Sequence, residues 1–95
     1  MIVSLDEEGR LKLEDAQNLG AFSYRAQRDS LLVSSEAVIF DGDVAWVSEA
    51  HLRQWPLLAG DVDWQASLDG MVDFARSRGW VHPESGRIRA HIKRD

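Results

Sequence analysis

Residues 37–55 of the chain read AVIFDGDVAWVSEAHLRQW, and this stretch decides the fold around it. Two short apolar runs, residues 37–40 and 44–47, flank the dipeptide Asp41-Gly42. Such a pair between apolar runs is the strongest short-range signal of a β-hairpin, because a type I′ turn needs positive φ at both central residues. The sequence therefore predicts a tight hairpin here.

Ser48 follows this hairpin at the position of a helix N-cap. Its hydroxyl can accept a hydrogen bond from the backbone N–H groups that open a helix, and Val47 and Leu52 occupy the two positions of a hydrophobic staple. Pro56 ends the helix, because the residue before a proline is pushed out of the α region. We expect this short helix to span about residues 49–55.

Period-two alternation predicts a first hairpin near the N-terminus. Leu11 and Leu13 alternate with charged residues, as in a half-buried strand, and Gly9 can take the positive φ of a turn. We expect the two strands to cover residues 2–5 and 10–13.

Residues 14–33 carry a mixed pattern. Apolar residues recur at helical spacing in the first part, yet Gly20 costs helix stability, and residues 22–25 alternate as a strand would. The expected elements are a short helix over residues 14–20, a strand over 21–26, a turn at 28–30 and a strand over 31–33.

The clearest helix covers about residues 63–78. Five apolar side chains fall on one stripe about 100° wide, which is the width expected of a helix packed on a core. They are Trp64, Leu68, Met71, Val72 and Ala75. We expect Leu68 and Met71, at the centre of the stripe, to be buried against the sheet.

The last predicted strand has two chemically different faces. Its apolar residues are Ile88, Ala90 and Ile92, and the basic residues that alternate with them are Arg87, Arg89, His91 and Lys93. Because successive strand residues point to opposite faces, one face should be apolar and the other cationic. Together the elements predict an α+β fold, in which a mostly antiparallel sheet of β-hairpins packs against one long and one or two short helices.

The chain has 95 residues and no cysteine. Its length predicts a single domain, residues 1–95. The absence of cysteine disfavours a disulfide-stabilised secreted domain and a thiolate zinc site. No apolar run approaches the roughly 20 residues that span a bilayer, and the first residues are acidic where a signal peptide would be basic. These features predict a cytoplasmic protein with no membrane partner.

The net charge of −5 is unevenly distributed. Residues 1–75 carry five basic and fourteen acidic side chains, whereas residues 76–95 carry six basic and two acidic ones. An acidic chain is poorly suited to nucleic acid, whose binding depends on neutralising phosphates. A basic tail on an acidic body suits reciprocal pairing between two copies. We therefore expect a homodimer or a complex with another protein, and no nucleic-acid partner.

The sequence contains no motif typical of catalysis or cofactor binding. A nucleophile elbow, a phosphate-binding loop and a dinucleotide fingerprint are all absent. His82, Glu84 and His91 lie on or near one hairpin, but their spacing carries no metal-site signature. The sequence favours a protein that is not an enzyme and that uses no cofactor or metal.

Two functional hypotheses follow. The first is a protein-interaction or homo-oligomerising domain, because the apolar strand faces outnumber the helices able to cover them. Its candidate residues are Arg87, Arg89, His91 and Lys93 on the last strand, with Val38, Phe40 and Trp46 on the central hairpin. The alternative is a small ligand-binding domain or enzyme with a tryptophan-lined pocket and a titrating histidine. Its candidate residues are His51, Trp55 and His82.

Overall fold

The computed structural model describes residues 1–27 and 32–94. The elements within these ranges are β1 (Ile2–Leu5), β2 (Leu11–Glu14), β3 (Ser23–Ala26), β4 (Val38–Asp41), β5 (Val44–Val47), α1 (Glu49–Arg53), α2 (Val62–Ser77) and β6 (Ile88–Arg94). The strands form one sheet in the order β2-β1-β3-β6-β5-β4. The α+β class is therefore confirmed.

The sheet is mixed, and in this respect the expectation of a sheet built of hairpins was incomplete. β1 pairs with β2, β4 with β5 and β5 with β6 in antiparallel fashion, whereas β3 runs parallel to both β1 and β6. These parallel neighbours are distant in sequence. Antiparallel neighbours joined by a short turn leave a local signal in the chain, whereas parallel pairing depends on a long crossover.

The central hairpin forms as predicted, but its turn is shifted by one residue. Asp41 pairs with Val44, so the two turn residues are Gly42 and Asp43. Gly42 has φ of 60°, and Asp43 does not have positive φ. Positive φ at the first central residue alone is the pattern of a type II′ turn, so the expected type I′ turn was wrong.

One face of the sheet, which we name the inner face, carries the core. Val3, Tyr24, Val38, Ala45, Val47, Ile88 and Ala90 are all buried there. The sheet curls toward this side, since the rings of Tyr24 on β3 and Phe40 on β4 meet edge to face with centroids 5.0 Å apart although two strands lie between them. Burial raises the pKa of the Tyr24 phenol.

α2 completes the core with the stripe that the sequence predicted. Trp64, Leu68, Val72 and Ala75 are buried in the same cluster as the inner face of the sheet. Met71 is only partly buried, so the expectation that it lies in the core beside Leu68 was only partly right.

The ends of both helices are set by local hydrogen bonds. The Ser48 hydroxyl accepts from the backbone N–H of His51 (3.3 Å) at the start of α1, and the Asp61 carboxylate accepts from the backbone N–H of Trp64 (3.0 Å) at the start of α2. Gln54 caps the other end of α1, two residues before Pro56 and earlier than the predicted end.

α2 ends in a Schellman motif. Gly79 has φ of 77° and donates its backbone N–H to the Arg76 carbonyl, while the Trp80 N–H donates to the Ala75 carbonyl at 2.8 Å. This paired closure is the usual way for a helix to satisfy its last carbonyls when a glycine follows it. The motif fixes where Trp80 leaves the helix.

The helix predicted over residues 14–20 does not form: Glu14 ends β2, and residues 15–20 are a series of turns. Asp15 has φ of 51°, which no α-helix contains. The Ala16 carbonyl accepts the indole N–H of Trp64 (2.9 Å), and the Ala21 carbonyl accepts the N-terminal amine (2.6 Å). These tertiary bonds take the place of helical ones.

The remaining expectations for this region had mixed outcomes. β3 occupies Ser23–Ala26, inside the predicted strand. The predicted turn at residues 28–30 and the first residue of the predicted strand at 31–33 lie outside the described residues. Leu32 and Val33 do not belong to a strand.

We expect Leu68→Ala to lower the free energy of unfolding by about 2–5 kcal/mol, because it removes buried methyl groups and leaves a cavity between α2 and the sheet. Met71→Ala, on the same helix but half-buried, is the matched control and should cost less than about 2 kcal/mol. Urea unfolding of both variants measures the difference. Equal losses would show that the two positions are packed alike and would contradict this account of α2.

Candidate interaction surface

The outward side of β6 carries three basic side chains in a row. Ile88 and Ala90 are buried in the core, and the residues that alternate with them, Arg89, His91 and Lys93, are exposed. The expected division of this strand into an apolar and a cationic face is therefore confirmed. We name Arg89, His91 and Lys93 the cationic face. At about 3.3 Å per residue it spans roughly 13 Å.

The cationic face lies near the middle of the sheet rather than at an edge. Its lateral neighbours are Trp46 beside Arg89, Ser23 and Val44 beside His91, and Arg25 beside Lys93. None of these neighbours is a carboxylate. Arg25 is itself bridged to Glu14, with 2.7 Å between guanidinium nitrogen and carboxylate oxygen.

The cationic face has no acidic partner in the described part of the chain. The ion pairs among residues 1–27 and 32–94 engage Arg10, Arg25, Arg53 and Arg76. Arg89 and Lys93 take part in none of them. A protein with a net charge of −5 thus presents a local basic patch that forms no ion pair with any described residue.

Arg87 differs from the rest of the predicted basic row. Its Nη2 donates to the Glu36 carbonyl at 2.8 Å, which ties β6 to the segment before β4. Its Nη1 is buried and has no hydrogen-bond partner among the described residues. Arg87 therefore has a structural contact that Arg89 and Lys93 lack, and we do not include it in the cationic face.

A groove of about 460 Å³ lies beside the cationic face and shares its three basic residues. It opens where one edge of β6 changes partner. Val81 pairs with Ile88 and the Arg89 N–H donates to the Trp80 carbonyl (2.8 Å), whereas β3 takes over this edge from His91 onward. The other walls of the groove are the turn at residues 19–22 and the C-terminal part of α2.

Two exposed aromatic rings form one wall of the groove. Phe74 is 53% exposed and Trp80 is 38% exposed, and their rings meet edge to face with centroids 5.8 Å apart. The Arg78 guanidinium lies 5.2 Å from the centroid of the Phe74 ring. Contact between the residue after a Schellman glycine and the last turn of the helix is common, so the cap holds the two rings together.

The other residues of the predicted interaction surface fall on both sides of the sheet. Val38 is completely buried on the inner face, and Phe40 is partly buried against Tyr24. These two residues are part of the core and do not share a surface with the cationic face. Trp46 does lie on the outer face, beside Arg89 and in edge-to-face contact with His82 (5.2 Å between centroids).

The residues of the alternative pocket are only partly brought together. His51 and Trp55 line an open hollow next to the β1–β2 hairpin, together with Arg10 and Lys12. Asp6 also lines it, and backbone hydrogen bonds from Arg10 and then Glu8 hold the pKa of its carboxyl below the usual value. The ring Nδ1 of His51 lies 2.8 Å from the Ser48 hydroxyl, so His51 is engaged with its own helix cap.

His82 lies apart from this hollow. Its Nδ1 accepts the backbone N–H groups of Glu84 and Ser85, both at 3.3 Å. The ring therefore organises the turn that precedes β6 and does not join His51 and Trp55 in a pocket.

Among residues 1–27 and 32–94, no group of three or more His, Asp or Glu side chains is placed to hold a metal ion. No helix in this part of the chain is both long and apolar enough to cross a membrane. No family model, no curated protein and no solved structure matches the chain.

Sequence reasoning missed the aromatic wall of the groove. Phe74 lies outside the apolar stripe of α2. A large aromatic residue on the solvent side of an amphipathic helix is the signal that could have revealed its exposed position. The place of Trp80 next to Phe74 depends on the Schellman motif, which its sequence neighbours alone do not reveal. The turn at residues 19–22 was not predicted, because the pattern there indicated a helix through residue 20 and a strand from residue 21.

We expect covalent labelling to separate Arg87 from the cationic face. Phenylglyoxal should modify Arg89 several times faster than Arg87, whose Nη2 is hydrogen-bonded and whose Nη1 is buried. An amine-reactive reagent should label Lys93 readily. Mass spectrometry of peptides after short labelling times gives the rates. Equal rates for the two arginines would contradict the distinction.

Proposed function

We propose that this protein is a non-enzymatic interaction domain that binds an acidic segment of another protein through the cationic face. The observation that carries the proposal is that, among the described residues, Arg89 and Lys93 take part in no ion pair, whereas four other arginines do. Charged groups aligned on one surface guide association and select partners of opposite charge.

A protein segment suits this face better than a nucleic acid does. Nucleic acid is a long polyanion, and the protein's own net charge of −5 opposes its approach. The cationic face offers three side chains over roughly 13 Å, which matches the length of about four residues of extended peptide. A short stretch with carboxylates at alternate positions would therefore complement it.

Another protein also suits this face better than a second copy of the chain. In a two-fold dimer built on the cationic face, Arg89, His91 and Lys93 would approach their own equivalents. On α2, Asp69 and Asp73 are bridged to Arg53 and Arg76 and are therefore less available for pairing with a second copy. The homodimer expected from the uneven charge distribution is for these reasons not the form that we propose.

We expect the protein to sediment as a single species near 10.7 kDa at micromolar concentration, because self-association through the cationic face would be repulsive. Analytical ultracentrifugation at low and at high salt checks this. A dimer at low salt that dissociates at high salt would assign the cationic face to a second copy.

A short acidic peptide tests the proposal directly. The first probe is a nine-residue peptide in which Glu and Gly alternate, except that Gly also replaces the central Glu. We expect its addition to shift the amide NMR signals of β6, with millimolar or tighter affinity that weakens at high salt because exposed charges are screened. Arg89→Glu with Lys93→Glu should abolish these shifts.

The matched control, the β2 variant, is Arg10→Glu with Lys12→Glu, which makes the same change of charge just before and within β2, at the hollow lined by His51 and Trp55. Binding that survives this control and is lost in the β6 variant supports the proposal. Binding lost only in the β2 variant would favour the second candidate, a ligand site at that hollow. The observation that favours this second candidate is the joint presence of Trp55, Arg10 and Lys12 there.

A further inference from the structure

We infer that the groove beside the cationic face receives one large apolar side chain of the bound acidic segment, and that Phe74 and Trp80 hold it. This inference rests on the proposed function and specifies its ligand. The ligand would then be an extended segment in which carboxylates flank a single aromatic or large aliphatic residue.

The first support is that the cationic face and the groove share residues. Arg89, His91 and Lys93 form the cationic face and also line the groove. A segment whose carboxylates pair with these residues must place its intervening side chains within reach of the groove. Binding sites commonly combine an apolar cavity with a few polar groups that fix orientation, and the groove volume of about 460 Å³ lies in the range of such sites.

The second support is the exposure of the aromatic wall. The Schellman motif explains why Phe74 and Trp80 touch each other. It does not require their outer surfaces to stay open, yet Phe74 is 53% exposed and Trp80 is 38% exposed. Exposed aromatic residues next to arginine are typical of the residues that contribute most to protein interfaces.

The third support is the apolar character of the surrounding wall. Leu19, Phe22, Met71 and Ile88 line the groove behind the aromatic pair. Met71 belongs to the apolar stripe of α2 but is only partly buried, so part of that stripe faces the groove instead of the core. An apolar side chain of a ligand would cover this surface.

A pair of peptides tests the inference. Both carry the Glu-Gly alternation described above, one with Gly and one with Phe at the centre, and fluorescence anisotropy of a labelled N-terminus measures their affinities. We expect the Phe peptide to bind about tenfold more tightly, since a tenfold gain needs only part of the free energy of burying a Phe side chain. It should also shift the indole N–H signal of Trp80 in the NMR spectrum.

Phe74→Ala should reduce this tenfold preference to near equality while the affinity for the Gly peptide stays unchanged. Ile39→Ala is the matched control, because Ile39 is 42% exposed on the outer face of β4, and it should leave the preference intact. The Trp80 indole signal of the unmodified protein gives a second measurement that does not depend on the folding of a variant.

The outcomes separate the inference from the proposed function. If both peptides bind with equal affinity, and the Arg89→Glu, Lys93→Glu variant binds neither, the groove has no anchoring role. The inference is then overturned, while the proposed function stands. A preference for Phe that persists in Phe74→Ala overturns the inference as well. If neither peptide binds at millimolar concentration, or if binding is indifferent to charge reversal on β6, both proposals are overturned.

Discussion

β6 lies near the middle of the sheet, and its register sets both the core and the outer surface. A strand that is paired on both edges has to present alternate residues to opposite faces. Ile88 and Ala90 fill the core on one face, so the basic residues between them must point outward. Moving this strand by one residue would place arginine in the core, at a cost of several kcal/mol for an unpaired buried charge. The register of β6 therefore fixes the core and the cationic face at the same time.

The end of α2 links this strand to the helix layer. Gly79 closes the helix, Trp80 turns back beside Arg89, and the chain then enters the turn organised by His82. The aromatic wall of the groove results from the way α2 ends, because the capping geometry brings Trp80 against Phe74. The residues at the helix cap thus form the apolar side of the groove, and the cationic face of β6 forms its basic side.

The ion pairs of the described residues lie outside the cationic face of β6. Arg53 bridges Glu49 and Asp69 at 2.8 and 2.6 Å and so ties α1 to α2, and these carboxylates help to raise its pKa. Partly exposed pairs of this kind contribute at most about 1 kcal/mol each, so their main consequence here is to hold the Arg53 side chain between the two helices. Arg89 and Lys93 take part in no ion pair within residues 1–27 and 32–94. Arg89, His91 and Lys93 thus lie along the same groove as the exposed rings of Phe74 and Trp80.

The elements that could be predicted from the amino-acid sequence are those whose signals are local. The central hairpin, the Ser48 cap, the buried stripe of α2 and the two faces of β6 all follow from turn chemistry or side-chain period, which act over a few residues. The tertiary structure decided the rest: the parallel pairing of β3, the turns that replace a helix at residues 14–20, the burial of Val38 and the meeting of Phe74 with Trp80. Each of these depends on contacts between residues that are distant in sequence or on the geometry of a helix end. The outward cationic residues were therefore readable from the chain, whereas the groove beside them exists only because the fold brings α2, β3 and β6 together.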